Sequence, residues 1–328
     1  MTDLDKKIEK AISIYQTFEP KDEPYYVCYS GGKDSDVIRI LADLSGVNYE
    51  LHNNHTTVDA PETVYYIREV MSRYGERERE RDPQDGHTIY RYGTQGFVHM
   101  PLETMWQLVA GKGFPTRTKR FCCEELKEKG GKGRLCVTGV RKAESVNRAR
   151  NQGLVTVVSP KAKDRKKLES ENIPFGETPR GGLVMNTDND ESRRGVEHCY
   201  RTSKTLINPI IDWTDDDVWD FLHENGCESN PLYKKGYTRI GCVGCPMSRK
   251  HGILRDFEQW PQYKNAYLRS ADKYLNVVCE ERCKTNPGYR EKLIKWGWTD
   301  AEHMMRWWIG DDPHQITLED YFGDLEDY

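Results

Sequence analysis

This sequence predicts an α/β fold: a doubly wound, mostly parallel sheet with a helical C-terminal part. Three observations carry the prediction. Residues 25–35, Tyr-Tyr-Val-Cys-Tyr-Ser-Gly-Gly-Lys-Asp-Ser, are an apolar strand that breaks into a glycine-rich turn and runs into the helical stretch Asp36 to Leu44. Strand and helix patterns then alternate from 25 to 160, as parallel strands joined by helical crossovers do. From 251 to 328 the chain reads as helical, with tryptophans at 260, 296, 298, 307 and 308 across this stretch and its approach.

Taken in order, residues 1–24 read as an amphipathic N-terminal helix, with Leu4, Ile8, Ile12 and Tyr15 near 3.6 spacing and a Pro20 to Pro24 linker. Residues 25–250 are expected to form one domain. Within it, Arg73 to Arg81 mixes glutamate with arginine and reads as a solvated helix end. Leu135 to Thr138 is a short β-prone run ending in Gly139, so Arg141 would leave the carboxyl end of a strand, where open α/β sheets bind ligands. The polar stretch 161–194 reads as a lid or a disordered loop. Thr214-Asp215-Asp216-Asp217 reads as a helix start, with Thr214 as cap and the acids facing the dipole, a structural run with no metal assigned. The helical part from 251 to 328 is expected to pack on the cysteine-bearing domain or on a second copy in a homodimer.

A length of 328 residues allows one large or two modest cores. The formal charge of −4 argues against a generally basic nucleic-acid binder. No apolar run is long enough for a membrane span, and Met-Thr-Asp-Leu-Asp-Lys-Lys is no signal peptide, so a cytoplasmic protein is expected. In that compartment ten cysteines are expected as thiols and metal ligands, not as a disulfide framework.

The turn after the first strand is an anion cradle in composition. Gly31 and Gly32 let backbone N–H groups converge, Ser30 and Ser35 add hydroxyls, Lys33 brings a positive charge and the following helix presents its N-terminus. Asp34 is a carboxylate beside the expected phosphates, and fits there if it holds Mg²⁺. Arg141 and Arg148, seven apart on an expected helix, would share a face and reach an anion together. A second signal is cysteine. Cys122 and Cys123 are adjacent, while Cys242 and Cys245 form a C-x-x-C with Gly241, Gly244 and Pro246 around it. Four thiolates suit tetrahedral zinc or a [4Fe–4S] cluster. Cys28, Cys136, Cys199 and Cys227 lack such spacing and read as core or surface thiols. Cys279 and Cys283 lie one helical turn apart, which leaves a redox or metal pair open.

With these motifs in view, the chain resembles the phosphoadenosine-phosphosulfate reductase-like family of PP-loop ATP pyrophosphatases, over roughly residues 25–250. The resemblance rests on Ser30 to Ser35, Val58-Asp59-Ala60-Pro61-Glu62-Thr63, Cys122-Cys123, Thr138 to Ser145 with Arg148, Asn208 to Thr214, and Asn230-Pro231-Leu232-Tyr233 through Cys242. It implies an adenine-nucleotide-alpha-hydrolase-like fold, ATP with Mg²⁺ in a site of Ser30, Gly31, Gly32, Lys33, Asp34, Ser35, Gly139, Arg141 and Arg148, and a [4Fe–4S] cluster on Cys122, Cys123, Cys242 and Cys245. Lys33, Asp34 and Arg141 would be the catalytic residues. Two departures are informative. Reductases of the family carry a nucleophilic cysteine in a C-terminal E-C-G-[LI]-H string, whereas here no cysteine follows Cys283 and the tail Leu318 to Tyr328 is acidic. The chain also keeps the intact Ser-Gly-Gly-Lys-Asp-Ser string, which such reductases tend to have lost. It thereby resembles the branch that joins an ATP-pyrophosphatase loop to an iron–sulfur cluster, as in DNA-phosphorothioation enzymes.

The function so implied is cleavage of ATP at the α-phosphate to AMP and pyrophosphate, adenylating an acceptor for sulfur transfer, with a nucleic acid or a protein as acceptor. Two alternatives stand beside it. One is a sulfonucleotide reductase acting on an adenylylated nucleotide and releasing sulfite. The other is a nucleotide-sensing module of a defence system.

Overall fold

In a computed structural model the chain is described over residues 1–286 and 288–310, so the tail Leu318 to Tyr328 lies outside the described residues. The chain divides into two compact units. The first comprises Met1–His55, Pro61–Met100 and Lys129–Ile240, and the second Thr56–Ala60, Pro101–Glu128 and Gly241–Tyr328. This replaces the expected boundary near 250. The segment bearing Cys122 and Cys123 falls with the helical C-terminal part, and so do Val58 and Asp59, which pair with the Cys242 knuckle, Val243 N–H donating to Val58 C=O at 2.8 Å.

The first unit holds a sheet of ten strands: β1 (Tyr25–Cys28), β2 (Tyr49–Asn54), β3 (Arg77–Arg81), β4 (Thr88–Tyr92), β5 (Gly96–His99), β6 (Leu135–Val137), β7 (Val155–Val158), β8 (Gly176–Glu177), β9 (Leu183–Met185) and β10 (Lys204–Ile207). Their spatial order is β3-β4-β5-β2-β1-β6-β10-β7-β9-β8. The centre, from β5 through β2, β1 and β6 to β10, is parallel, with Val27 opposite Leu51 on one side and Val137 on the other. Antiparallel strands extend both edges. Centre strands covered on both faces must be apolar throughout, and Tyr25, Tyr26, Val27, Leu135, Cys136 and Val137 are all buried. After β1 the chain moves to β2 on one side, and β6 arrives on the other. Winding therefore reverses between β1 and β6, the place where open α/β sheets leave a crevice at their carboxyl ends.

The helix Asp3–Phe18 belongs to this unit. Thr2 and Asp5 form its capping box, and its buried face of Ala11, Ile14, Tyr15 and Phe18 is tied inward by the Tyr15 hydroxyl, which donates to Ile38 C=O at 2.7 Å.

Two expectations change. Arg73 to Arg81 is not a helix end: from Arg77 it is edge strand β3. Its Arg-Glu alternation has the period of a strand, and Glu78 and Glu80 pair with Arg91 across β4 while Arg77 lies over the Tyr90 ring. An edge so charged also resists pairing with another chain. The stretch 161–194 is neither a lid nor a disordered loop. It folds into the helix Ala162–Ser170, strands β8 and β9, and the start of the helix Asp190–Thr202. Leu168, Ile173, Leu183 and Met185 carry it into the core. Asp164, fully buried, accepts from Lys161 N–H at 2.7 Å and the Ser203 hydroxyl at 2.6 Å.

The second unit is helical, with Met105–Lys112, Phe121–Leu126, Lys250–Gln259, Pro261–Lys273, Glu280–Thr285, Gly288–Lys295 and Ala301–Ile309 as its α-helices. Its core is aromatic: Phe114 stacks on Trp308 at 4.5 Å, and Tyr267 meets Trp106 edge-on at 5.1 Å. Among the described residues no helix is long and apolar enough to cross a membrane.

The packed state of 161–194 is testable. Leu168→Ala should cost about 2–5 kcal/mol in urea unfolding, as deletion of a buried leucine does. A loss below about 0.5 kcal/mol, the range of surface substitutions, would return the segment to the status of a loop.

Candidate functional site

Each unit carries one of the two residue clusters that the sequence singled out. In the first, β1 ends at Cys28 and the chain turns through Gly31, whose φ of +72° suits glycine and whose added Cβ would lie 2.8 Å from Ile67. Gly32 caps the helix Lys33–Ser45. The expected convergence of N–H groups is partly taken up within the protein. Gly32 N–H donates to the Ser35 hydroxyl at 3.1 Å, and Lys33 N–H donates to the Tyr233 hydroxyl at 2.9 Å. Asn230 braces the turn by donating to Gly31 C=O at 3.0 Å. An anion here meets the helix N-terminus and the Lys33 ammonium.

The loop after β6 reaches the same place. A Cβ on Gly139 would lie 2.7 Å from Asp34 C=O, so only glycine allows this approach. Arg141 follows, and its side chain is 1 % exposed. Its guanidinium donates to Asp34 Oδ1 at 2.7 Å, to Trp213 C=O at 3.2 Å and to Asp215 Oδ1 at 2.5 Å. Lys33 Nζ lies 3.1 Å from that same Asp215 oxygen and 3.7 Å from Asp34 Oδ2. Burial pushes the Asp215 carboxyl up, but the hydrogen bonds from Arg141 and Lys33 outweigh it and hold the group below the usual aspartate range.

Two corrections follow. Arg141 and Arg148 do not share one helix: Arg141 is extended, a 3₁₀ turn spans Lys142–Glu144, and Ser145 caps a new helix, Val146–Asn151. Arg141 is bonded here to two carboxylates and a carbonyl, which makes it the clamp of the site. Asp215, read as purely structural, sits on Lys33, while Thr214 and Asp217 do form the capping box. Arg148 pairs with Glu144, and burial, then the charge of Arg239, bring its guanidinium down to about 10. Crowded, desolvated cations of this kind favour an anion between them. Sequence reasoning missed Asp215, Tyr233 and Asn230 as site residues, although the Asn208 to Thr214 and Asn230 to Tyr233 strings were the available signal.

Beside the loop, buried Asp36 accepts from the hydroxyls of Tyr29 at 2.7 Å and Tyr66 at 3.0 Å. Burial pushes its carboxyl up to about 6 from 3.8.

In the second unit, Cys122 and Cys123 lie on the helix Phe121–Leu126, and Cys242 and Cys245 on the knuckle that Cys242 joins to Asp59 by a β-bridge. All four are free thiols. Gly244, at φ +69°, leaves no room for a Cβ, which would meet Phe257 at 2.9 Å. The knuckle is fixed by Gly244 N–H donating to Asp256 at 3.1 Å and by the Tyr267 hydroxyl donating to Val243 C=O at 3.2 Å. The sulfurs form one electrostatic group. The hydrogen bond to Cys123, then burial and the charges of Cys242 and Cys245, push the Cys122 thiol up, and the bond from Cys122 holds Cys123 down to about 6. An ionised Cys242 is foremost among the groups that raise the Lys127 ammonium, so a cation stands beside that sulfur, whose thiol burial pushes up. A rigid knuckle and a helix that bear these thiols, with Cys122 under the charge of the other three and a cation beside Cys242, suit a thiolate-ligated metal centre. Cys28, Cys136, Cys199 and Cys227 are buried or half-buried. Cys279 is buried with its sulfur 3.9 Å from the Tyr289 hydroxyl, and Cys283 is half-buried.

A family model described as the phosphoadenosine phosphosulfate reductase domain matches residues 24–248. An uncharacterized protein of Methanocaldococcus jannaschii is 25% identical over 276 residues, covering 81% of this chain and 53% of that protein. The adenosine 5'-phosphosulfate reductase of Rhizobium tropici is 24% identical over 209 residues, 61% of this chain and 84% of that protein. The chain thus spans about half the length of the archaeal relatives it matches, 53% and 45%. Among solved structures, phosphoadenylyl-sulfate reductase from Candida auris in a phosphate complex has a TM-score of 0.42 at 14% identity, covering 74% of this chain and 96% of that one.

The Asp36 carboxyl supplies a pH test. Its folded pKa of about 6 stands above the ordinary 3.8, so its contribution is present below about pH 4 and lost as pH rises through 6. Relative to wild type, Asp36→Asn should therefore gain stability between pH 4 and pH 8, by on the order of 3 kcal/mol if the whole shift is expressed. Urea unfolding of both proteins at the two pH values checks this, and a constant gap would refute it.

Proposed function

The chain belongs to the phosphoadenosine phosphosulfate reductase domain family, and from that premise we propose that it binds ATP with Mg²⁺ at the Ser30 to Ser35 turn. There it would cleave ATP at the α-phosphate and adenylate an acceptor in the service of sulfur transfer. The observation that carries this reading is the complete Ser-Gly-Gly-Lys-Asp-Ser turn, with buried Lys33 at the helix N-terminus directly after β1, where the winding of the sheet reverses. A nucleophile on the acceptor forms a bond to the α-phosphorus, the bond to the bridging oxygen breaks, and pyrophosphate leaves with the electron pair. Lys33 and Arg148 stabilise the charge that grows on the departing phosphates. Asp34 has one carboxylate oxygen held by Arg141, and its other oxygen suits Mg²⁺. Arg141 orients Asp34.

Cys122, Cys123, Cys242 and Cys245 would hold a [4Fe–4S] cluster. When bound, the cluster would supply sulfur-carrying or electron-transfer chemistry, or a structural staple. The protein's own contribution is the rigid knuckle, the apolar wall of Phe257 and Tyr267, and the Lys127 charge. Adjacent cysteines joined to a distant C-x-x-C favour the cluster over zinc. The acceptor would be a nucleic acid or a protein, the setting cytoplasmic, and a homodimer is compatible with the helical part.

The similarity to an adenosine 5'-phosphosulfate reductase supports a second reading, reduction of an adenylyl sulfate to sulfite. Product analysis separates the readings. ATP should yield AMP and pyrophosphate, with Lys33→Ala lowering the rate by roughly two to three orders of magnitude. Robust sulfite release from an adenylyl sulfate with thioredoxin would replace this reading by the second, and tight ATP binding without turnover by a sensing role. Anaerobically purified protein should carry about four irons per chain. One zinc and no iron would remove the cluster and keep the site.

A further inference from the structure

We propose that Asp215 is an internal competitor for the anion that Lys33 binds, a carboxylate that closes the cation pair until a polyphosphate displaces it. The inference rests on the ATP reading above and adds a control on that same site.

One oxygen, Asp215 Oδ1, accepts from both Lys33 Nζ at 3.1 Å and Arg141 at 2.5 Å. Two cationic donors thus converge on a single oxygen, as they would on a phosphate oxygen. The partners differ sharply in freedom. The side chains of Lys33 and Arg141 are 7 % and 1 % exposed, whereas that of Asp215 is 69 % exposed. The cations are fixed in the protein, and the carboxylate can rotate into water at small desolvation cost.

Releasing Asp215 also leaves its helix intact. The helix Asp215–Glu224 is capped by Thr214, whose hydroxyl accepts from Asp217 N–H at 3.1 Å, while Asp217 accepts from Thr214 N–H at 2.7 Å. Asp215 contributes no capping bond. Its charge remains in the first turn, where the helix dipole favours it in either orientation.

The charge balance gives the selectivity. Lys33 and Arg141 against Asp34 and Asp215 sum to zero. With Asp215 withdrawn, the remaining three carry one net positive charge, and Arg148, itself under the charge of Arg239, adds another close by. A monovalent anion only exchanges one charge for another. A polyphosphate contributes several, takes the place of Asp215 on Lys33 and Arg141, extends toward Arg148, and so displaces the carboxylate.

Pyrophosphate binding by calorimetry, with EDTA present, tests this on wild type, Asp215→Asn and Asp216→Asn. Asp216 carries the same charge in the same turn and makes no contact with Lys33 or Arg141. If the closed pair is occupied about nine-tenths of the time, Asp215→Asn should tighten pyrophosphate about tenfold. Chloride should then compete measurably with pyrophosphate in Asp215→Asn and not in wild type. Equal tightening in both variants would reduce the effect to net charge and overturn the proposal. Weaker binding by Asp215→Asn would make the residue an organiser of the cations and also overturn it. If wild type binds and Asp215→Asn binds no tighter, this inference alone falls. If no variant binds pyrophosphate or ATP, the ATP reading fails and takes this inference with it.

Discussion

The buried guanidinium of Arg141 is the constraint on which the first unit's site depends. A cation that is 1 % exposed must be matched by acceptors on all sides, because the cost of an unpaired buried charge exceeds most single packing terms. Its acceptors come from three places in the chain: Asp34 after β1, Trp213 C=O ahead of the helix Asp215–Glu224, and Asp215 itself. These meet only if β1, β6 and β10 lie side by side in parallel, since each delivers its following loop to the same edge. The sheet topology and the ion network therefore require one another. Removing Arg141 would leave Asp34 and Asp215 sharing Lys33 alone, so its loss is expected to disturb the loop more than a surface ion pair would.

Local chemistry was legible in the sequence, and long-range partnership was not. The turn from Ser30 to Ser35 could be read because all its members are contiguous and because strand, glycine and helix signals follow in order. The parallel centre was legible for the same reason: β1 and β6 are short apolar runs ending in glycine-rich turns. Tyr233 and Asn230 reach the turn from 200 and 199 residues away, and no local pattern marks a tyrosine as the acceptor for a backbone amide. Asp215 was hidden differently. A run of three acids after Thr214 has a sufficient explanation as a helix start, and two of its members do satisfy it. The third is distinguished only by the direction in which the helix begins.

Composition misled where burial is sparse. In 161–194 the polar majority suggested an open segment, but four well-spaced apolar residues and one buried carboxylate anchor it. Asp164 explains how a lysine-rich helix can pack closely, because it satisfies the helix start and the Ser203 hydroxyl while only its outward face carries the charges. The Arg77 to Arg81 run shows the converse error. Its charge content was read and its period of two was not, although period separates strand from helix more directly than composition does.

The second unit makes a related point about continuity. Its segments are three separate stretches of chain, and Thr56–Ala60 is the shortest. That short stretch accepts Val243 through Val58 and bridges Cys242 through Asp59, while the Thr56 hydroxyl accepts from Cys242 Sγ at 3.6 Å. The Cys242 knuckle is thus held by five residues that are distant in sequence and carry no cysteine. A boundary drawn along the chain could not find this, because the unit is defined by what the knuckle pairs with and not by where the chain pauses. An ionised Cys242 and the Asp59 carboxylate both favour the Lys127 ammonium. Burial pushes the Cys242 thiol up, and the fixed Lys127 ammonium works against that by favouring the ionised sulfur.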